Sequence, residues 1–426
     1  CQAGRRMSRV GSHRRTSILV AAMAAIVGYA LIWVWLKPVV FSAKTSDFTC
    51  FYRAGRMVIA GDGARVYDLA AQREYDQRLG TSSVDQQGRQ FSLPFVFPPY
   101  TLAMFAPLSY LPYRAAEFVW YALNVGMLLA LPFVLRRSLA SSDKASAAEL
   151  LAPVFFLPAI LTLMQGQPTI LLLLLFAMAF VALAQESETR AGIILACATL
   201  KPQLVLPMLL ALVIWRKWRT LAAMAWTGVA LMGLSAALVG WRATLHYPQA
   251  LLEFNHLSGA LGGEHPDSMP ILRGMVHVLM PGWPELTIAG ITIAMSALLL
   301  AIFAVVLKRS PAVSASSYSL AIVVSCLLSY HAYLHDDSLL LLPIVLIGQH
   351  LLHNRWTATH AALAGAISAL YIVPVLPTSL HTTAIQMFAV MAMLAALLGI
   401  ETRNSTSSES TQPARRQLFS TPALIR

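Results

Sequence analysis

Apolar residues run in blocks long enough for buried helices, and polar residues gather at the ends of those blocks. Residues 17–36, 286–307 and 386–400 approach or reach the roughly 20 apolar residues that a helix needs to cross a bilayer. The pattern predicts helices over 17–36, 115–135, 149–164, 169–184, 221–240, 285–307, 315–330, 338–352, 356–373 and 382–400. A further apolar stretch, 191–215, carries Lys201-Pro202 in its middle. One continuous helix there would place a lysine in lipid at about 2.5–3.5 kcal/mol. A pre-proline residue also resists the α conformation. The stretch therefore predicts two half-spans that meet at Lys201-Pro202-Gln203, which brings the expectation to about twelve crossings.

The connections differ in kind. Residues 37–114 form a long first external loop, too long for a mere connector. Within it, 52–60 reads as a short helix stopped by Gly61–Gly63, and 66–80 as an amphipathic piece that sets Tyr67, Leu69 and Tyr75 at the membrane surface. Residues 95–112 are apolar, but Pro98, Pro99, Pro107 and Pro112 break them, so they read as a re-entrant or interfacial segment. A polar external loop is expected over 241–284. Short loops rich in Arg and Lys, such as Arg136-Arg137, Arg216-Lys217-Trp218-Arg219 and Lys308-Arg309, mark the cytoplasmic side.

Composition agrees with this layout. Of 426 residues, 57% are hydrophobic and 12% charged, against roughly 25% charged in a soluble protein. The class is an all-α polytopic membrane protein. A single transmembrane domain, 17–400, is expected between a basic cytoplasmic segment, 1–16, and a disordered, Ser/Thr-rich cytoplasmic tail, 401–426. Arg5, Arg6, Arg9, Arg14 and Arg15 before an apolar run with no small-residue cleavage site predict a signal anchor, with Met7 as the expected initiator. The net charge of +12 suits loops that face anionic lipid, with the plasma (inner) membrane as the location. Basic patches interleaved with stacking aromatics are absent, so nucleic acid is not a predicted partner. Cys1, Cys50, Cys197 and Cys326 show no metal-ligand spacing, and neither disulfide framework nor zinc site is expected.

Five polar interruptions share the external side in this topology: Ser46-Asp47-Phe48, Phe97-Pro98-Pro99, Gln165-Gly166-Gln167-Pro168, Lys201-Pro202-Gln203 and the stretch from His331 to Asp337. Asp47 can cap a following helix or take a proton from a hydroxyl nucleophile at the membrane boundary. Lys201 can snorkel or offer a fixed positive charge to an anionic head group. His331, His335, Asp336 and Asp337 are either a solvated loop or part of a site. Gln165, Gln167 and Asn124 can serve as interhelical hydrogen-bond partners or face a ligand. The HxxxH spacing of His331 and His335 resembles a helical metal pair but has no evident third ligand, so no cofactor is called for, with a divalent cation kept as an alternative. These alternatives stay open on spacing alone.

The ordered set carries a resemblance. Ser46-Asp47-Phe48 with a following Phe51-Tyr52-Arg53-Ala54-Gly55, then Gly61-Asp62-Gly63-Ala64-Arg65-Val66-Tyr67-Asp68, Phe97-Pro98-Pro99, Gly166-Gln167-Pro168, Ala198-Thr199-Leu200-Lys201-Pro202-Gln203 and a late His/Asp loop resemble glycosyltransferase family 87 over roughly residues 15–400. The resemblance implies a GT-C-type bundle in which the long first loop bears short interfacial helices. It implies an enzyme similar to mannosyltransferases that use polyprenyl-phosphate mannose and act on envelope glycolipids. Asp47 would then be the general base, and Lys201, with His331 and His335, would meet the donor phosphate. Tyr52, Gln165, Gln167, Gln203, Asp336 and Asp337 would bind substrate. Phe97 stands where the family often has tyrosine and Pro168 where it often has asparagine, which leaves donor sugar and acceptor undetermined.

The implied reaction moves a sugar, with mannose foremost, from a polyprenyl phosphate to a hydroxyl of an envelope lipid or glycan on the external face. A single carboxylate suits single-step inversion, since double displacement needs a placed nucleophile. A lipid-linked-sugar flippase or secondary transporter would also use broken helices and intramembrane charge, and an envelope polymer ligase would also use external loops. No convincing repeat relates the two halves of the chain, as many transporters require.

Overall fold

The structure is a computed structural model that describes residues 46–81, 83–84, 90–136, 155–255, 266–309, 312–353, 357–375 and 382–417. The chain divides into two units. The first, Cys1–Thr45 with Val84–Arg89, lies outside the described residues except for Val84. The predicted basic segment 1–16 and the anchor 17–36 fall there. The second unit, Ser46–Ser83 with Gln90–Arg426, holds everything described below. Apart from two two-residue strands, Ser83–Val84 and Gln90–Phe91, the regular structure among the described residues is helical.

The first helix, α1 (Phe48–Ile59), ends as the Gly61–Gly63 signal predicts. Gly61 takes φ +82°, its N–H bonds the carbonyl of Val58, and the N–H of Asp62 bonds that of Met57. This double closure satisfies carbonyls that a helix end leaves open. Asp68 then caps α2 (Leu69–Leu79) by accepting from the N–H groups of Ala70 and Ala71. Tyr67 and Tyr75 are buried rather than set on a membrane surface. Each hydroxyl has an internal acceptor, the Phe97 carbonyl at 2.7 Å and the Asp62 carboxylate at 2.6 Å, so inward packing leaves no polar atom unpaired.

Proline decides the next stretch. Pro98 and Pro99 start a 3₁₀ turn, α3 (Leu102–Leu108) follows, and the chain breaks before α4 (Tyr113–Leu135). At roughly 1.5 Å per residue, α3 (seven residues) is far too short to cross a bilayer. Phe95, Phe97, Leu102 and Phe105 pack inward on Phe51 and Trp120 in an aromatic core.

The helices then run α5 (Leu157–Gln165), α6 (Thr169–Ala184), α7 (Glu188–Cys197), α8 (Pro202–Ile214) and α9 (Trp218–Val239). The 191–215 stretch is broken as predicted. A 3₁₀ turn, Ala198–Leu200, leads to Lys201 at φ −123°, ψ 82°, outside the α region as its place before Pro202 demands. Residues 241–284, read as a polar loop, instead hold α10 (Trp241–Asn255) and α11 (Leu272–Leu279). The buried Leu272 and Val276 of α11, one turn apart, give it an apolar face that the loop's overall polarity hides.

The remaining helices are α12 (Glu285–Arg309), α13 (Ala315–Leu328), α14 (Leu341–His353), α15 (Ala358–Ile372) and α16 (Thr382–Gln417). Helix α16 runs past Ile400 into the stretch read as a disordered tail. Residues 401–412 contain neither glycine nor proline, and extending an existing helix is far cheaper than nucleating one.

Among the described residues, four helices are long and apolar enough to cross a membrane: α4, α9, α12 and Thr383–Arg403 within α16. Shorter apolar helices, α6, α8, α13 and α15, accompany them. At roughly 1.5 Å per residue, α8 reaches about 20 Å, short of a hydrocarbon core of about 30 Å. Phe118, Trp226, Leu286 and Ile293 on the long helices are exposed. Apolar faces of this kind give the chain the character of a membrane protein. Inside, α4 packs on α6, α7 on α9, α8 on α13, and α15 on α16.

Candidate functional site

A cavity of about 480 Å³ brings Asp47, Gln165, Gln167, Lys201, Gln203, His331, His335 and Asp336 onto its walls. That volume lies in the range of small-ligand sites. Helix ends and breaks supply nearly all of these polar groups. Aliphatic and aromatic residues complete the lining, among them Val96, Phe97, Leu161, Tyr247, Leu251 and Phe254.

Asp47 stands at the N-terminal position of α1, but its side chain makes no cap bond. Instead its Oδ2 accepts from Nε2 of Gln167 at 2.5 Å. Desolvation pushes the Asp47 carboxyl above its ordinary value, against the opposing influence of His335, the Gln167 hydrogen bond and Lys201. The carboxyl is therefore more basic than a solvated one, a perturbation of the kind that gathers at functional sites.

The turn that carries Gln167 is built around Gly166, which ends α5 at φ +69°. Its N–H bonds the Leu163 carbonyl, and that of Gln167 bonds Thr162. A Cβ on Gly166 would stand 2.7 Å from the Phe48 Cβ. Trp120 of α4 donates its indole N–H to the Gly166 carbonyl at 2.8 Å. Glycine is thus required twice, by conformation and by space.

Asp336 is the hub of the second polar group. Its Oδ1 takes the Lys201 ammonium in an ion pair and the Thr169 hydroxyl at 2.9 Å. Its Oδ2 lies 3.3 Å from His335 Nε2 and accepts from the Tyr333 N–H at 3.2 Å. Burial works against ionisation of Asp336, but Lys201 and His335 outweigh it and hold the carboxyl well below its usual range. Lys201 also lies 3.1 Å from the Thr169 hydroxyl and 5.9 Å from the Phe97 ring centroid. The sequence sets Lys201 at a water-facing tip; in the structure it is buried. The physical reason is Asp336, which offsets the cost of desolvating the ammonium.

Three other placements depart from the sequence reading. The Tyr52 hydroxyl donates to the Leu111 carbonyl at 2.9 Å and does not line the cavity. Asp337 also lies away from it, buried, accepting from Gln386 Nε2 of α16 at 3.2 Å. Burial and the neighbouring Asp336 push Asp337 up to about 8, although the Gln386 bond opposes them. Asn124 donates to the Trp120 carbonyl of its own helix rather than across helices. Residues 331–335 are not helical, so the HxxxH spacing does not set two imidazoles on one helix face. Their rings follow the chain instead, His331 and Tyr333 at 5.0 Å and Tyr333 and His335 at 6.1 Å.

Sequence reasoning missed Thr169, Trp120 and Arg53. Arg53 is fully buried and binds Asp76, Gln72 and the Leu93 carbonyl, which ties α1 and α2 to the cavity wall. An arginine inside the apolar face of α1 was the available signal, since such a charge demands partners.

The family model of glycosyltransferase family 87 matches residues 95–329, more than half of the chain. The match includes Gln165, Gln167, Lys201 and Gln203, while Asp47 and the stretch from His331 to Asp337 reach the same cavity from outside it. Neither a curated protein nor a solved structure matches. A carboxylate and an ammonium–carboxylate–imidazole cluster around one cavity suit group transfer, and with the family match they place this chain in glycosyltransferase family 87.

Proposed function

We propose that the chain is an inverting hexosyltransferase that moves a sugar from a polyprenyl phosphate to a hydroxyl of an envelope glycolipid or glycan. Mannose is the sugar to test first. The observation that supports this best is the shared cavity, where Asp47 and the Lys201–Asp336–His335 cluster line one space. The acceptor oxygen attacks the anomeric carbon and its proton passes to Asp47. The bond from that carbon to the phosphate oxygen breaks, and the phosphate leaves with the electron pair. One displacement inverts the carbon. Lys201 is already matched by Asp336, so it serves the departing phosphate as an N–H donor, with His331 and His335 beside it on the cavity wall as further phosphate contacts. Gln165 and Gln203 orient the sugar.

The aliphatic lining suits the first isoprene units of the carrier, whose tail would run into lipid between helices. The catalytic face is external, on a plasma membrane crossed about twelve times with both termini cytoplasmic. The test is incubation of the purified protein with a radiolabelled polyprenyl-phosphate mannose and a glycolipid acceptor. Label transferred to the acceptor with inverted configuration supports the reading. Translocation of intact donor across vesicles without bond cleavage would show a flippase instead.

A further inference from the structure

Two turns distant in sequence interlock residue by residue. The Ser46 hydroxyl donates to the Gln165 carbonyl at 3.4 Å, Asp47 accepts from the Gln167 side chain, and Phe48 fills the space beside Gly166 where a Cβ would collide. Trp120 fixes the carbonyl of that glycine from a third element. The amide therefore approaches Asp47 from a turn whose backbone is held by a helix-ending hydrogen-bond pair, by an indole and by steric contact. An ionised carboxylate only accepts, so the amide must present its NH₂. The Gln167 Oε1 is left buried with no hydrogen-bond partner among the described residues. Such an orphan is a cost, and it is consistent with a turn placed to serve Asp47 rather than to satisfy itself.

From this geometry we infer that Gln167 is a positioning residue for the Asp47 carboxylate, holding Oδ2 so that Oδ1 is directed at the acceptor hydroxyl. The inference rests on the reading of Asp47 as the base. It also assigns the Gln167 amide nitrogen to Asp47, not to the sugar. A hydrogen bond to the charged form favours that form, so the same contact keeps the base ionised at lower pH than its surroundings would otherwise allow.

The test is the pH dependence of transfer from a labelled polyprenyl-phosphate sugar, for wild type and Gln167→Met. Loss of a hydrogen bond to a charged group should move the acid limb of kcat upward by about one to two pH units. kcat at neutral pH should drop while KM for the donor stays within about twofold, since a misdirected base slows proton transfer and leaves donor contacts in place. The limb position does not depend on how much protein folds. A Met variant too slow to titrate is read through Gln167→Asn, which keeps the amide one methylene short and should give an intermediate limb. An unmoved limb overturns the inference, as does a KM rise with unchanged kcat, which would return Gln167 to sugar binding. Retained activity in Asp47→Asn is a different failure, because it removes the base itself.

Discussion

Asp47 and Asp337 are both carboxylates held away from bulk water, and their partners give them opposite uses. Asp47 has Gln167 as donor and faces His335 and Lys201 electrostatically, so it can ionise at the cavity wall. Asp47→Asn should lower transfer by about 10²–10⁴-fold with donor binding kept, measured as kcat against donor affinity. Because Asp47 is raised above 3.8 and, as the proposed base, must be ionised to act, the wild-type rate should climb with pH through a midpoint above that ordinary value. Asp337 has one amide and an adjacent negative charge, and stays protonated up to about 8. Its folded value lies above its unfolded one, so its contribution to stability is complete below 3.8 and is lost as pH rises through about 8. Asp337→Asn keeps a neutral side chain of the same shape. Its midpoint of thermal unfolding in detergent should fall less than that of wild type across this interval, and a parallel decline in both proteins would locate the pH sensitivity elsewhere.

Elements meet at Asp336, which joins the start of α6, the break before α8 and the loop before α14. Lys201→Met strands a buried carboxylate and should cost about 3–5 kcal/mol of stability. Adding Asp336→Asn should recover part of that loss, because the stranded charge goes too; strict additivity in the double-mutant cycle would deny the coupling. Much of this element layer was legible in the chain. Lys201-Pro202 announces its break, Gly61 and Gly166 announce their helix stops, and α6 occupies the predicted 169–184. Each signal is local, made by residues a few positions apart. The pairings were not legible: Asp47 meets Gln167 across 120 positions and Lys201 meets Asp336 across 135. No periodicity encodes such contacts, and only the fold decides which polar tips share a cavity. Helices α10 and α11 were hidden for another reason, since their short apolar faces are diluted by polar neighbours.

For the molecule as a whole, the proposed reaction depends on which ends of the helices face which side of the membrane. Among the described residues four helices are long enough to cross, and the shorter apolar ones lie against them or against one another. The basic loops argue for a cytoplasmic face at Arg216 to Arg219 and at Lys308-Arg309. The cavity is lined by α10, the 93–97 segment and the 330–336 loop, which the sequence reading sets on the other face. The proposed lipid-linked donor suits this, because its phosphate would sit at the boundary while its chain stays in hydrocarbon. Single cysteines at Trp283 and Tyr330, both exposed, should react from outside intact cells with a membrane-impermeant maleimide. A cysteine at Arg219, also exposed, should react only after permeabilisation. Cys50 and Cys326 are buried and should stay silent, and Cys1 and the half-buried Cys197 are replaced by alanine in the background. Labelling of Arg219→Cys from outside would place the end of α8 on the cavity's face. The break at Lys201 would then lie mid-span within a single crossing, and the Lys201–Asp336 pair would sit at the centre of the bilayer instead of at its edge.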